Sequence, residues 1–331
     1  MKRFILVCLL GALTLAGILA FNLFLFSEMP AGNSEQSLRI ERGTSQEKII
    51  RELESRGVIS HGLFFKAYLL MRHAAGKVRA GDYIFHTRIN PRQVLALLLK
   101  GDFAKLRITI PEGWSIRQIA DHLGNLHLVN PDVFMAKCSD AVFIQSLHLS
   151  VPTLEGYLFP DTYEIYKPKN EEEVIQKMVT RFRETFSPEF MARTQALGLS
   201  EQQVMTLASI VEKETGNDQE RPIIASVFFN RLKKGMALAS DPTIIYGITH
   251  FNGNLTRADL ARPGPYNSYL NPGLPPTPIA NPGLKSIRAV LYPAETDYLF
   301  FVSKNDGTHY FSRTETEHFQ AVRVYQSGRS P

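Results

Sequence analysis

The chain of 331 residues carries 37 Lys and Arg against 32 Asp and Glu, a net charge of +5, and 44% of its residues are apolar. That length allows two modest folded domains plus accessories, and that apolar share belongs to a chain most of which folds. The basic excess is mild and spread out. No dense Lys/Arg stripe interleaved with aromatics is present, so no nucleic-acid partner is expected, whereas an acidic polymer or a membrane fits a weakly basic surface.

The first element is the run FILVCLLGALTLAGILAFNLFLF, Phe4 to Phe26, uncharged and interrupted only by Thr14 and Asn22. As a helix at about 1.5 Å per residue it spans a hydrocarbon core of about 30 Å. It is too long for the apolar core of a cleaved signal peptide and lacks an A-x-A-like site. Cys8 sits inside the run, not after it as a lipoprotein signal would require. The expectation is an uncleaved single-pass anchor over residues 4–26, with Lys2 and Arg3 in the cytoplasm and everything after Phe26 outside it, in the periplasm or beyond the cell membrane. Cys138 is then the one exported cysteine, which excludes an internal disulfide. No CxxC, HExxH or acidic calcium loop occurs, so neither a metal nor another cofactor is expected.

Residues 27–37 are polar and read as a linker. A self-similar pair follows: RIERGTSQEKIIRELESRGVI from Arg39 to Ile59, and TIPEGWSIRQIADHLGNLHLV from Thr109 to Val129. Ile40, Gly43, Ser45, Ile49 and Leu53 match Ile110, Gly113, Ser115, Ile119 and Leu123 without a gap. Each unit predicts a strand, a Gly turn and a capped helix, with capping-box spacing at Thr44/Glu47 and Ser115/Gln118. GLFFKAYLLMRH then predicts a second helix, GDYIFH a strand, and PRQVLALLLK a helix closed by Gly101. The order strand, helix, helix, strand over residues 38–105 resembles the LysM fold, a small βααβ module that grips the amino sugars of peptidoglycan. A generic packing module has the same outline. Residues 106–153 form the second strand–helix unit and a connector.

From Gly156 the texture changes to aromatic-rich segments. An amphipathic helix is predicted over 170–186, capped by Asn170, then helices from about Ser200 to Thr215 and from about Asp218 to Lys234. The stretch 261–283 holds seven prolines in 23 residues. Two short strands, YLFFVS and HYFS, and a terminal helix close the chain. Mixed elements without βαβ regularity argue for an α+β fold.

The segment ASIVEKETGNDQE places Glu212, Glu214, Asp218 and Glu220 close together. Val204, Leu207, Ala208 and Val211 mark the buried stripe of the preceding helix. Glu214 falls at its edge, while Glu212 points toward solvent or a salt bridge. A carboxyl leaning over Ile210 and Val211 loses hydration and has a raised pKa, as a general acid needs. Asn217 or Asp218 can cap the next helix, and Asn217/Glu220 has capping-box spacing, with Pro222 in the first turn. Helix phase therefore ranks Glu214 first for chemistry, but leaves the plainer reading, a helix-end acid in a salt bridge, ahead of it.

LASIVEKET, ASVFFNRLKKGMALASDPTIIYG, LTRADL, YNSY, GLPPTPIANPG, AVLYPAETDYLFFV and GTHYFSRTETEH recur in that order from Leu154 to Val322. This succession strongly resembles the MltG (YceG-like) family of endolytic lytic transglycosylases. The resemblance implies an anchor helix, a LysM-like module and an α+β catalytic domain over residues 154–331. It also implies an enzyme that cuts peptidoglycan glycan strands internally and leaves 1,6-anhydro ends, with Glu214, the second Glu of E-K-E-T, as catalytic acid. Work beside peptidoglycan synthases, terminating nascent strands, is implied by resemblance alone. Asp241, Tyr246, Tyr266, Asn267 and also Tyr269 are candidates to line a saccharide groove. Asp241-Pro242 equally reads as a helix cap followed by a first-turn proline. Arg221 and Arg231 are candidates for the acidic side of the substrate or for helix-surface ion pairs. His309, His318 and Glu317 make no convincing metal pattern. Two other readings compete: a non-catalytic wall-binding scaffold, and a muramidase that uses water with Asp241 or Glu220 as second carboxylate.

Overall fold

A computed structural model of the chain describes residues 2–32, 34–41, 43–101, 106–165, 168 and 170–326. Helix α1 (Lys2–Glu28) comes first, as expected of a long Leu/Phe/Ala run without proline. The side chains of residues 1–9, 12, 16 and 19, and with them Lys2, Arg3 and Cys8, lie outside the described residues. Among the described residues no helix is long and apolar enough to cross a membrane. The chain divides into two compact units, Met1–Arg107 with Glu164–Lys167, and Ile108–Tyr163 with Pro168–Pro331.

In the first unit β1 (Gln36–Ile40), α2 (Gln46–Ser55), α3 (Gly62–Met71), β2 (Gly81–Phe85) and α4 (Pro91–Lys100) follow α1. Strands β1 and β2 pair antiparallel, Leu38 opposite Tyr83 and Gln36 opposite Phe85. The strand order and the helix pair between the strands are those expected from the sequence. Alternation puts Leu38, Ile40, Tyr83 and Phe85 on one face, where Leu53, Phe65 and Leu98 close the core. The tyrosine of this core donates its hydroxyl to Arg79 O at 2.5 Å, which satisfies the polar end of an otherwise apolar side chain. Asn90 and Gln93 form a full capping box at the start of α4, and Gly101 ends it in the left-handed conformation. The first turns of α2 differ from expectation. Ser45, not Thr44, is its cap, because the Thr44 hydroxyl turns back to Glu41 O at 2.8 Å.

Strands β3 (Leu106–Thr109) and β4 (Thr162–Ile165) make a second two-stranded sheet. Between them lie α5 (Ile116–Asn125), α6 (Pro131–Lys137) and α7 (Ala141–Ser146). The duplicated pattern is visible locally. Gly43 and Gly113 sit at φ +83° and +75°, conformations costly for any residue with a Cβ, and Ser45 and Ser115 cap the helices that follow. At Ser115 the reciprocal box with Gln118 forms as expected.

The second unit continues with α8 (Glu171–Thr185), α9 (Pro188–Ala196), α10 (Glu201–Glu214), α11 (Arg221–Lys233), α12 (Asp241–Gly247), α13 (Arg257–Leu260) and α14 (Leu284–Leu291). The antiparallel hairpin β5 (Phe300–Ser303) and β6 (His309–Ser312) and the helix α15 (Glu315–Gln326) close it. Helix α10 is the hub, packing on α9, α11, α12 and α14. Its residues 204–211 are buried without a break, so it is a central helix and not an amphipathic one with a single buried stripe. The small polar residues on its far side make this tolerable: Ser209 donates to Thr206 O at 2.7 Å and accepts from Ile279 N at 3.0 Å, leaving no orphan hydroxyl.

Candidate active site

Ser200 and Gln203 start α10 with a reciprocal capping box, and Thr215, in extended backbone, ends it. Glu214 is thereby the last residue of the helix around which the unit packs. It keeps some accessible surface, yet protein surrounds its carboxyl closely. That burial pushes its pKa up from 4.5 to about 7, and the nearby negative charge of Asp241 adds to the rise. The Ser240 hydroxyl, donating to Glu214 Oε1 at 2.5 Å, and the charge of Arg231 oppose it. Among the described residues Oε2 has no hydrogen-bond partner. A carboxyl half-protonated near neutral pH, gripped by one oxygen and open at the other, is equipped to give and retake a proton.

Ser240 is held in turn. It is buried. Its N–H donates to Ser268 Oγ at 3.0 Å, the Ser268 hydroxyl lies 2.7 Å from that of Thr243, and the Thr243 hydroxyl donates to Ser240 O at 2.6 Å. Ala239 before it adopts φ +49°, a strained value of about 1–3 kcal/mol for a non-glycine residue, while its N–H donates to Ser268 O. Loss of the Ser240 hydroxyl has a signed consequence. The hydrogen bond favours the ionised carboxyl, so Ser240→Ala raises the Glu214 pKa further. Activity that requires protonated Glu214 should then persist to higher pH, read as an upward shift of the alkaline limb of the kcat/KM profile.

Asp241 is not the cap of α12. That position is Ser240, and the Asp241 carboxylate accepts the Tyr269 hydroxyl at 2.6 Å. Burial first, then the bonded Asp241 carboxylate and, after it, the charge of Glu214 push the Tyr269 hydroxyl's pKa up. Arg231 is no helix-surface ion pair either. Half-buried, it donates to the carbonyls of Leu299 and Leu238, both at 2.6 Å, and stacks its guanidinium on Phe300. Glu214, Ser240, Asp241, Tyr269 and Arg231 thus form one electrostatic neighbourhood.

A cleft of about 720 Å³ opens beside it, lined by Gly113, Lys213, Pro242, Tyr246, Tyr266 and Glu155 among others. Glu214 and Asp241 are not among its lining residues, but their chain neighbours Lys213 and Pro242 are. Tyr246 and Tyr266 meet edge to face at 4.9 Å, and the Tyr266 hydroxyl lies 2.7 Å from that of Thr277. Asn267 stands apart from both groups. It is buried, donates to Leu260 O and Arg262 O, and accepts from Tyr269 N, so it ties the 260–269 loop together.

Glu155 was not legible as a site residue. Only 2% exposed, it accepts from Ile116 N (3.0 Å), Asn281 Nδ2 (3.1 Å) and the Tyr246 hydroxyl (3.0 Å). Burial lifts its pKa to about 7, against the pull of those three donors. The available signal was a single acid inside the apolar run Leu154 to Phe159, since a buried carboxylate requires partners. Gly156, next to it, takes φ +90°, and a Cβ there would meet Pro278 Cγ at 2.6 Å. Glu155→Gln places an NH2 group against donors on at least one side, so the Tyr246 ring should lose its fixed position. The expected result is a raised KM with a smaller change in kcat.

The other acids of the Glu214 segment divide. Of the two expectations for Glu212, the salt bridge forms and exposure to solvent does not. Its side chain is 6% exposed, paired with Arg221, itself 6% exposed, and accepts from Gly283 N at 2.9 Å. Asp218 pairs with Arg221 and Lys285. Asn217 accepts from Gln219 N, but α11 begins at Arg221 with Glu220 at the cap position and no side-chain cap bond. Glu220 instead accepts His309 N at 2.9 Å and lies 2.7 Å from His309 Nδ1. His318 stacks on Phe300, and Glu317 accepts the N–H groups of Arg313 and Thr314.

The sequence profile of the YceG-like family matches residues 38–324. A Bacillus subtilis protein named endolytic murein transglycosylase is 32% identical over 309 residues, covering 89% of this chain and 86% of its own. One from Streptococcus pneumoniae, of the same name, is 30% identical over 97% of this chain, which spans 64% of that longer protein. The crystal structure of a yceG-like protein from Listeria monocytogenes superposes with a TM-score of 0.61 at 30% identity, covering 87% of this chain and 99% of the other.

Proposed function

The chain belongs to the YceG-like family, and from that premise we propose that it is an endolytic lytic transglycosylase of peptidoglycan. Its substrate is the bond between N-acetylmuramic acid and N-acetylglucosamine within glycan strands. The observation that carries the reading is Glu214, a carboxyl poised near neutrality, held through one oxygen by Ser240 and open at the other beside a cleft.

Neutral Glu214 gives its proton to the glycosidic oxygen as the C1–O bond breaks. The carboxylate so formed takes the proton of the C6 hydroxyl of the same muramoyl residue, whose oxygen bonds to C1. The product is a 1,6-anhydro end, and no water is consumed. One carboxyl suffices because the nucleophile belongs to the substrate at high effective concentration, whereas glycosidases that use water require two. The two carboxylates that could serve a water-using route are otherwise engaged: Asp241 with Tyr269, and Glu220 with His309. Asp241 lends negative charge that keeps Glu214 protonated. Tyr246 and Tyr266 offer ring faces to sugars, and Asn267 supports Tyr266 by holding its loop.

The same reading gives α1 the role of a single-pass anchor through residues 4–26, N-terminus inside, and gives the βααβ module of residues 38–105 a LysM-like grip on amino sugars. Placement at the outer face of the cell membrane suits termination of nascent strands beside peptidoglycan synthases. Mass spectrometry of purified sacculi digested with the protein tests the central claim. Anhydro-muramoyl ends released at internal positions are the expected result. Reducing ends would replace the lyase with a hydrolase, and binding without release would leave a scaffold.

A further inference from the structure

Helix α3 carries its apolar residues on the wrong side for a soluble module. GLFFKAYLLM is apolar nearly all round. Phe65, Tyr68 and Leu69 go into the core, while Leu63 is 85%, Leu70 57%, Met71 47% and Phe64 40% exposed. At about 100° per residue these four, with Ala67 among them, share one outward stripe. An outward face of this kind marks an interaction surface.

Its position says what covers it. Helix α1 packs against α3 and α4, and it does so through its last turns, where Leu23, Phe26 and Ser27 are buried. The Phe26 ring lies 5.7 Å from that of Phe64, and Phe26 is the residue at which the apolar run of the chain ends. Phe21, Phe24 and Leu25 of α1 are exposed as well, so the apolar surface of α1 continues onto α3. Directly after α3 come Arg72, His73 and Lys77, all exposed. The outward apolar stripe of α3 thus meets the end of the α1 apolar run and is followed by Arg72 and Lys77, and basic residues beside an apolar surface suit the anionic headgroups of a bilayer.

We propose that α3 is a second membrane contact, a short helix lying in the lipid headgroup region with Leu63, Phe64, Leu70 and Met71 immersed, at the level where α1 leaves the hydrocarbon. The proposal rests on α1 being the anchor, and the test separates the two. Full-length chain carrying Cys8→Ala is given one cysteine at a time, Leu63→Cys, Leu70→Cys or Ile18→Cys, and each is labelled with an environment-sensitive fluorophore. Cys138 stays unlabelled because it is buried and burial raises its thiol pKa. The protein is reconstituted in vesicles of phosphatidylethanolamine with a minority of phosphatidylglycerol, with nitroxide lipids bearing the spin label either high or deep on the acyl chain. Labels at 63 and 70 should emit at shorter wavelength and be quenched by the shallow nitroxide, and the label at 18 by the deep one. Quenching at 18 without any at 63 or 70 overturns the α3 contact and leaves the anchor standing. Absence of quenching at 18 removes the anchor and the inference with it. A blue shift at 63 and 70 that vanishes on dilution to one chain per vesicle assigns the stripe to a second copy and also overturns the proposal.

Discussion

Glu214→Gln is expected to abolish strand cleavage and, above neutral pH, to leave a more stable protein. The kinetic half follows from the double duty of one carboxyl. General acid–base assistance contributes about 10²–10⁴-fold, and here the same group both protonates the leaving oxygen and deprotonates the attacking one, so release of anhydro ends should fall by at least about 10³-fold. Glutamine keeps the shape and can still accept from Ser240, so binding of glycan should survive. The stability half follows from where the proton sits. Burial raises the folded-state pKa from 4.5 to about 7. Between those values the folded chain holds a proton that the unfolded chain has released, so stability declines as pH rises through that window, by at most about 1.4 kcal/mol per pH unit for this group. Above it the full cost of burying the charge remains. Glutamine carries no such cost. The variant should melt higher than its parent at pH 8 and alongside it at pH 4, with Glu155 contributing the same background to both. Full activity, or a lower melting temperature at pH 8, would remove Glu214 from its role.

How much of this was legible from the sequence depends on the range of the interaction. Caps and helices rest on neighbours three or four residues apart, so Ser115 and Asn170 cap the helices expected of them, and a helix does begin beside Ser200. The strand–helix–helix–strand order of the first unit and the placing of Glu214 at the end of α10 come from the same local patterns. What a 3.6-residue period cannot reveal is how many sides of a helix are covered. The packing of α9, α11, α12 and α14 around α10 turned an apparent stripe into a buried cylinder, and that is why Glu212 is enclosed. Asp241 reads locally as a cap, and only its meeting with Tyr269, 28 positions on, shows otherwise. Glu155 finds its donors 39, 91 and 126 positions away, so no local pattern names them. These misses are polar side chains whose partners lie far along the chain, and Thr44, whose hydroxyl turns back to Glu41 O, is the local exception.

Arg221→Ala is expected to destabilise the second unit severely while leaving the chemistry of the folded molecules largely intact. The guanidinium donates from Nε to Ser286 Oγ at 3.1 Å and from Nη2 to Glu212 Oε1 at 3.4 Å, and its Nη1 meets Asp218. It also opposes the rise in the pKa of Glu112, which burial and then the charge of Glu212 push up. Removing the cation leaves Glu212 enclosed with, among the described residues, only the Gly283 N–H donating to it, and removing one partner of a buried pair costs about 3–5 kcal/mol. For a domain of this size that is a fall of roughly 2–4 °C in Tm for each kcal/mol. Asp218→Asn should cost little by comparison, because its half-exposed carboxylate pairs with Lys285 at the surface, where solvent screens the pair. Adding Glu212→Gln to Arg221→Ala should regain part of the loss, since the two residues are in contact and their effects should couple by about 0.5–3 kcal/mol. Arg221→Lys should fall between, keeping the charge without the fork that reaches three partners at once. These comparisons also decide what Arg221 is for. A residue that meets the acidic side of the glycan would raise KM in protein held well below its melting temperature. A residue whose work is to neutralise enclosed carboxylates at the foot of α10 and α11 would lower the melting temperature and leave KM unmoved, which is the outcome its burial and its three side-chain partners require.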